Sequence, residues 1–254
     1  MTNENNWQGK VAIVTGGSSG IGAATAKALA DKGAIVAITG RNRERLDAVA
    51  ATHENILAIQ ADSADPTSAA DVIETVVDGS GRLDLLVNNA GAGAMLPISD
   101  YNEAKIAQMC ALNIVAPSLM VKEATPALQK SKGAIVNVST AVSRNAAPAL
   151  AHYAATKIAL EHLTGSWAME LAGDGIRVNT VSPGPVKSNA LTGMMGLPEE
   201  MARAVEEQEA SQVPLGRRGV TSDIVPWILR LGNSENDWLT GQIITVDGGW
   251  SLRS

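Results

Sequence analysis

Lys10-Val-Ala-Ile-Val-Thr15-Gly16-Gly17-Ser18-Ser19-Gly20-Ile21-Gly22 is the stretch that decides the fold. Its first six residues are apolar and mostly β-branched, the pattern of a short strand buried on both faces of a parallel sheet. A glycine-rich turn follows. Ile21, Ala24, Thr25, Ala28 and Leu29 then recur at helical spacing as far as Gly33. Strand, glycine turn and helix in that order make a phosphate site. The glycines let backbone approach a pyrophosphate, and the helix start supplies amide donors and a positive dipole end. The spacing is Gly16-x3-Gly20-x-Gly22 rather than G-x-G-x-x-G. The bland alternative is an ordinary turn, but its position directly after an apolar strand favours a nucleotide.

Working outward, the unit repeats. Strands are expected at 35–39, 56–61, 83–87, 134–138, 176–181 and 242–246. Helices are expected at 43–51, from Pro66 to a stop at Gly79, at 102–129 with a bend near Pro117 and Pro126, at 151–171 and at 223–231. Alternating strands and helices imply an α/β fold, a doubly wound, mostly parallel sheet with helices on both faces. No linker or low-complexity tract interrupts residues 1–254, so one domain is expected. The irregular stretch is 188–212, rich in Met, Glu and Gly after a Pro-Gly-Pro, and it reads as a flexible substrate flap.

Composition narrows the function. Twenty Lys+Arg stand against 26 Asp+Glu, a net charge of −6, which disfavours nucleic acid as a partner. No run approaches the roughly 18 apolar residues of a membrane span. The first ten residues are polar and lack the apolar core of a signal peptide, and Cys110 is the sole cysteine. A reducing, cytoplasmic location is therefore expected. His53 and His162 have no partners at metal-ligand spacing, so no metal is expected. His152 reads as structural.

The end of the second strand selects the nucleotide. A carboxylate there would bind a ribose 2′-OH, and an arginine suits a 2′-phosphate. The chain has Thr39-Gly40-Arg41-Asn42-Arg43, with no carboxylate before Glu44. Arg41 can form paired, charge-assisted bonds to phosphate, so NADP(H) is expected over NAD(H).

Tyr153 and Lys157 stand four apart on the helix expected at 151–171 and so share a face. A nearby ammonium favours the phenolate, which would bring the phenol toward use as an acid and base. Alone, such a pair is more often an ordinary surface contact.

Together these stretches resemble the short-chain dehydrogenase/reductase family, in its single-domain branch of about 250 residues with a Rossmann-type sheet of about seven strands. The motifs are Thr15-Gly-Gly-Ser-Ser-Gly-Ile-Gly22, Asp62-Ser63, Asn88-Asn89-Ala90-Gly91, Asn113, Tyr153-Ala-Ala-Thr-Lys157, Pro183-Gly184-Pro-Val186-Lys-Ser188 and Asp247-Gly-Gly249. The resemblance implies hydride transfer between a nicotinamide and a carbonyl or secondary alcohol of a small molecule. Tyr153 would be the general acid/base, Lys157 would tune it and hold the ribose, and Asn113 would anchor a proton-relay water. Gly16, Ser18, Ser19, Gly20, Ile21 and Gly22 would hold the pyrophosphate side. Arg41, Asp62 and Ser63 would face the adenosine, and Asn89, Ala90, Gly91, Pro183, Gly184, Val186 and Ser188 the rest of the cofactor. A homo-oligomer, tetramer or dimer, is implied as well. The family's substrate-orienting Ser is here Thr140. Ser139 is the alternative that a local bulge would favour. A rival reading is a catalytically idle NADP(H)-binding sensor or structural subunit.

Overall fold

The computed structural model describes residues 7–188 and 190–252. The polar start at 1–6 and Asn189 of the expected flap lie outside the described residues. Seven parallel strands form one sheet: β1 (Val11–Thr15), β2 (Ile35–Gly40), β3 (Ile56–Gln60), β4 (Leu85–Asn88), β5 (Ala134–Val138), β6 (Arg177–Pro183) and β7 (Ile243–Val246). Their order is β3-β2-β1-β4-β5-β6-β7. The expected sheet is therefore present, and each strand lies within about two residues of its sequence reading.

β1 shows why a fully apolar strand is needed. Successive side chains point to opposite faces. Val11 and Ile13 enter one core, with Val72 and Val76 of α3 (Ser68–Ser80) and Met120 and Leu128 of α5 (Ala116–Ser131). Ala12 and Val14 enter the other, with Leu29 of α1 (Gly20–Ala30) and Ile228 of α8 (Thr221–Gly232). α2 (Arg43–Ala50) covers the β2–β3 edge through Leu46.

Three helix expectations change. α3 begins at Ser68 rather than Pro66, because Asp65 Oδ1 accepts from the Thr67 amide and hydroxyl and forms a turn first. It ends at Gly81, which takes φ +72°, and Gly79 stays helical. The long helix is interrupted next to Pro117, as expected, but not at Pro126, which sits inside a continuous helix. The break is a π turn, Ala111–Val115, between α4 (Glu103–Cys110) and α5. Pro117 follows that turn in a backbone that stays helical, so its missing N–H removes an intrahelical bond where the register widens. The whole of Glu103–Ser131 meets the length and apolarity of a membrane span. In this fold it lies on the sheet, with Met120, Val121, Ala124 and Leu128 in the core.

The stretch expected to be an irregular flap is mostly ordered into a π turn, Ala190–Met194, and a helix, α7 (Glu199–Gln212). A buried arginine anchors α7. Arg218 forms ion pairs with Glu206 and with Glu209 (3.0 Å), and its Nη2 donates to the Val186 carbonyl. The sequence expects a mobile segment because its polar residues look solvated; two of those carboxylates are in fact partners of one desolvated guanidinium. α6 (Ala151–Leu171) has the expected bounds.

Candidate active site

The order β2-β1-β4 makes the chain reverse direction across the sheet beside β1, and a crevice opens at the carboxyl ends of the strands there. The glycine loop follows β1. Gly16 and Gly20 have φ of +66° and +55°, which side chains disfavour. A Cβ on Gly22 would collide with the Gly16 carbonyl oxygen, and one on Gly17 would lie 2.6 Å from Ile38 Cβ. The loop is clamped from β4. Asn89 Nδ2 donates to the Thr15 and Gly16 carbonyls at 2.9 and 3.1 Å. Thr15 Oγ1 accepts from the Asn89 and Ala90 amides at 3.0 Å each. Asn89 and Ala90 thus shape the cradle from behind.

Ser19 is the N-cap of α1 and makes no side-chain cap bond; Ile21 packs on the core. Ser18 faces the end of β2, its Oγ 3.5 Å from where a Gly40 Cβ would stand. Arg41 is exposed, and its carbonyl accepts from Gln60 Nε2 at 3.0 Å. Arg43 instead binds both Asp47 oxygens. Ser63 lines a narrow crevice with Thr15 and Thr39, and Asp62 Oδ1 accepts from the Ala64 amide. On the far side, a Cβ on Gly184 would lie 2.6 Å from Asp247 Cβ, so the Pro183-Gly184 turn sits tight on the C-terminal segment. Val186 is bonded by Arg218, and Ser188 Cβ lies 3.5 Å from the Cβ position of Gly20.

Two of the candidate groups meet at Gly91, where a Cβ would lie 2.9 Å from Asn113 Oδ1 and 3.2 Å from Lys157 Nζ. Asn113 is fully buried. Its Nδ2 donates to the Ala92 carbonyl and Thr156 Oγ1 at 2.8 and 2.9 Å, and its Oδ1 accepts from the Ala92 amide. The π turn carries it: the wider register rotates one residue inward relative to an α-helix.

Ser139 and Thr140 point apart, as neighbours on extended backbone do. Ser139 Oγ donates to the Lys157 carbonyl at 3.3 Å. Thr140 caps a 3-10 turn, Ala141–Arg144, and its hydroxyl is the side chain that acts on the Tyr153 phenol. Tyr153 is enclosed by Leu96 and Met109, with Met194, the last residue of the second π turn, and Met195 just after it against the same cluster. Met201 is half exposed and stands outside it. His152 stacks edge-on with Tyr101, centroids 4.5 Å apart, a packing contact.

The electrostatics correct one expectation. Lys157 does not dominate the phenol. Burial pushes Tyr153 up to about 12, with the Thr140 hydrogen bond acting downward. Burial also lowers Lys157 to about 8, with the Glu161 carboxylate acting upward. Desolvation outweighs charge proximity here because both groups are enclosed. The Lys157 ammonium also donates to the Val138 carbonyl at 2.9 Å. At neutral pH the site therefore holds a protonated phenol and an ammonium.

One buried group escaped the sequence reading. Glu161 receives hydrogen bonds from Ser143 and Ser182, each 3.2 Å, and pairs with Arg144 at 3.1 Å. The signal was present: Glu161 continues the four-residue step from Tyr153 through Lys157.

The family model described as Enoyl-(Acyl carrier protein) reductase matches residues 16–251. The chain is 37% identical over 250 residues to an uncharacterized oxidoreductase of Methylorubrum extorquens, covering 95% of this chain and 98% of that one. It is 33% identical over 247 residues to a 3-oxoacyl-[acyl-carrier-protein] reductase of Thermotoga maritima, covering 95% and 98%. Among solved structures, a short-chain dehydrogenase/reductase of unknown function from Caenorhabditis elegans, with cofactor, superimposes with a TM-score of 0.91 at 35% identity, covering 98% and 97%. Agreement over nearly the full length of each, in sequence and in fold, means that the chain belongs to the short-chain dehydrogenase/reductase family of oxidoreductases.

Proposed function

We propose that the chain is an NADP(H)-dependent oxidoreductase that moves a hydride between the nicotinamide and a carbonyl or secondary-alcohol carbon, in the cytoplasm. The observation that carries the reading is that Asn113 and Lys157 meet at Gly91 while Tyr153, one turn from Lys157 on α6, has the Thr140 hydroxyl acting on its phenol, next to a glycine cradle that tolerates no Cβ at Gly22. Bound NADP(H) supplies or accepts the hydride. Gly16, Ser18, Ser19, Gly20 and Gly22 would hold its pyrophosphate side, and Asp62 and Ser63 its adenine side.

The protein's own residues handle the proton. Thr140 Oγ1 and Tyr153 Oη together hold the substrate oxygen. Tyr153 stays protonated at neutral pH and so gives its proton to that oxygen as the alkoxide develops. The Lys157 ammonium then favours the phenolate that is left. Asn113, fixed through both its amide atoms, would seat a relay water. Self-association is part of the reading: Ile158 and Met169 leave apolar side chains on the outer side of α6.

The deciding assay is NADPH and NADH oxidation with ketones, keto-esters and acyl-thioesters. NADPH-linked turnover with at least one carbonyl compound is expected. Tight NADPH binding with no turnover would leave the idle nucleotide-binding reading. Among the described residues the Arg41 side chain at the end of β2 has no partner, whereas Arg43 is occupied by Asp47. Arg41→Ala is expected to raise KM for NADPH about tenfold and leave KM for NADH unchanged, the size of one hydrogen bond to a charged group at an exposed site. Equal effects on both cofactors would refute the 2′-phosphate role.

Thr140→Ala removes the hydroxyl that acts on the Tyr153 phenol and is expected to cost about tenfold in kcat. Ser139→Ala removes a bond to a helix carbonyl and should leave kcat within about twofold of wild type by the lower end of the same range. The reverse ranking would reassign the substrate hydroxyl.

A further inference from the structure

Glu161 is a buried carboxylate for which the proposed mechanism has no use. It lies one helical turn beyond Lys157, which lies one turn beyond Tyr153, so the three share a face of α6. A carboxylate is seldom buried unless paired and hydrogen-bonded. Glu161 meets both conditions through groups that all belong to the site's framework. Ser143 and Arg144 are in the turn that Thr140 caps. Ser182 precedes Pro183, the start of the turn that would face the nicotinamide. One carboxylate therefore ties together the elements that carry Thr140, Lys157 and the Pro183-Gly184 turn.

We propose that Glu161 is a positioning residue for this reaction: its carboxylate fixes those three elements to one another and supplies the negative charge that keeps the enclosed Lys157 an ammonium. The inference rests on the hydride-transfer reading above.

The charges around the pair are few. α6 itself presents Tyr153, Lys157 and Glu161, and the Ala141–Arg144 turn presents Arg144. β5 offers the Val138 carbonyl, β6 the Ser182 hydroxyl and the π turn the uncharged Asn113. Lys157 near 8 is close enough to working pH for a single neighbouring charge to decide its protonation. Arg144, half exposed, partly offsets Glu161. Changes at the two residues should therefore move Lys157 in opposite directions.

The test uses the full chain with Glu161→Gln and Arg144→Met. Lysine-selective NMR titration reads Lys157 directly, its signal identified by its loss in Lys157→Met. The midpoint is expected to fall by about one pH unit in Glu161→Gln and to rise in Arg144→Met. In kcat/KM for carbonyl reduction, the alkaline limb should follow. Glu161→Gln would then lose about tenfold more activity at pH 8.5 than at pH 6.5. A merely structural role would lower activity equally at both pH values and leave the Lys157 midpoint in place; that result overturns the proposal. If Glu161→Gln does not fold, Glu161→Met takes its place, and an unmoved Lys157 midpoint there is equally fatal. Because the titration needs no substrate, it judges Glu161 even if the carbonyl assay refutes the hydride-transfer reading.

Discussion

Tyr153→Phe is expected to lower kcat for carbonyl reduction by about 10²–10⁴-fold, with NADPH affinity and thermal stability close to wild type. The substitution deletes one oxygen. The ring keeps its enclosure by Leu96, Met109, Met194 and Met195, so no cavity forms. Thr140 Oγ1 no longer acts on a phenol but still accepts from the Val142 amide. What is lost is the proton donor to the developing alkoxide. With the phenol at about 12, wild-type Tyr153 is protonated throughout the neutral range, so the defect should be the same from pH 6 to pH 8. Steady-state kinetics paired with a nucleotide-fluorescence titration separates kcat from binding. Activity within a few-fold of wild type would remove Tyr153 from the chemistry.

Gly22→Ala should act at the other end of the site. The added Cβ meets the Gly16 carbonyl oxygen and Asn89 Nδ2, which is itself bonded to Thr15 and Gly16. These are the backbone of the cradle and its clamp, and neither is the free end of a flexible side chain. Overpacking of this kind costs about 1–3 kcal/mol. Expressed as a distorted cradle, that is about 10–100-fold in the Kd for NADPH. Expressed as stability, it is a loss of a few degrees in Tm per kcal/mol for a chain of this size. Calorimetric titration and a thermal melt on the same sample would show the division. Wild-type values in both would mean that the close approach of Gly22 to Gly16 has no consequence for the cradle.

Much of the framework was readable from local pattern. β1 alternates Val11 and Ile13 against Ala12 and Val14 into two cores, and a strand apolar at every position can only be buried twice. The bounds of α6 and the shared face of Tyr153 and Lys157 follow from the period of the helix. Errors came where a feature depends on what another element brings. Of the two prolines expected to bend the long helix, only Pro117 stands beside an interruption, the π turn Ala111–Val115, while Pro126 is carried inside a continuous helix. A helix was missed in the presumed flap because its partner, Arg218, sits beside the exposed Arg217, and the sequence does not separate the two.

The sequence by itself determined the sheet, the glycine cradle and the spacing that puts Tyr153, Lys157 and Glu161 on one face, because these follow from periodicity within single elements. Only the tertiary structure decided that Thr140 rather than Ser139 meets the phenol, and that a π turn brings Asn113 to Gly91. It also decided that the phenol is raised and the ammonium lowered, with Glu161 acting on the latter. The physical reason is that spacing is a property of one segment, whereas burial and electrostatics belong to the several segments that remove water from a group together.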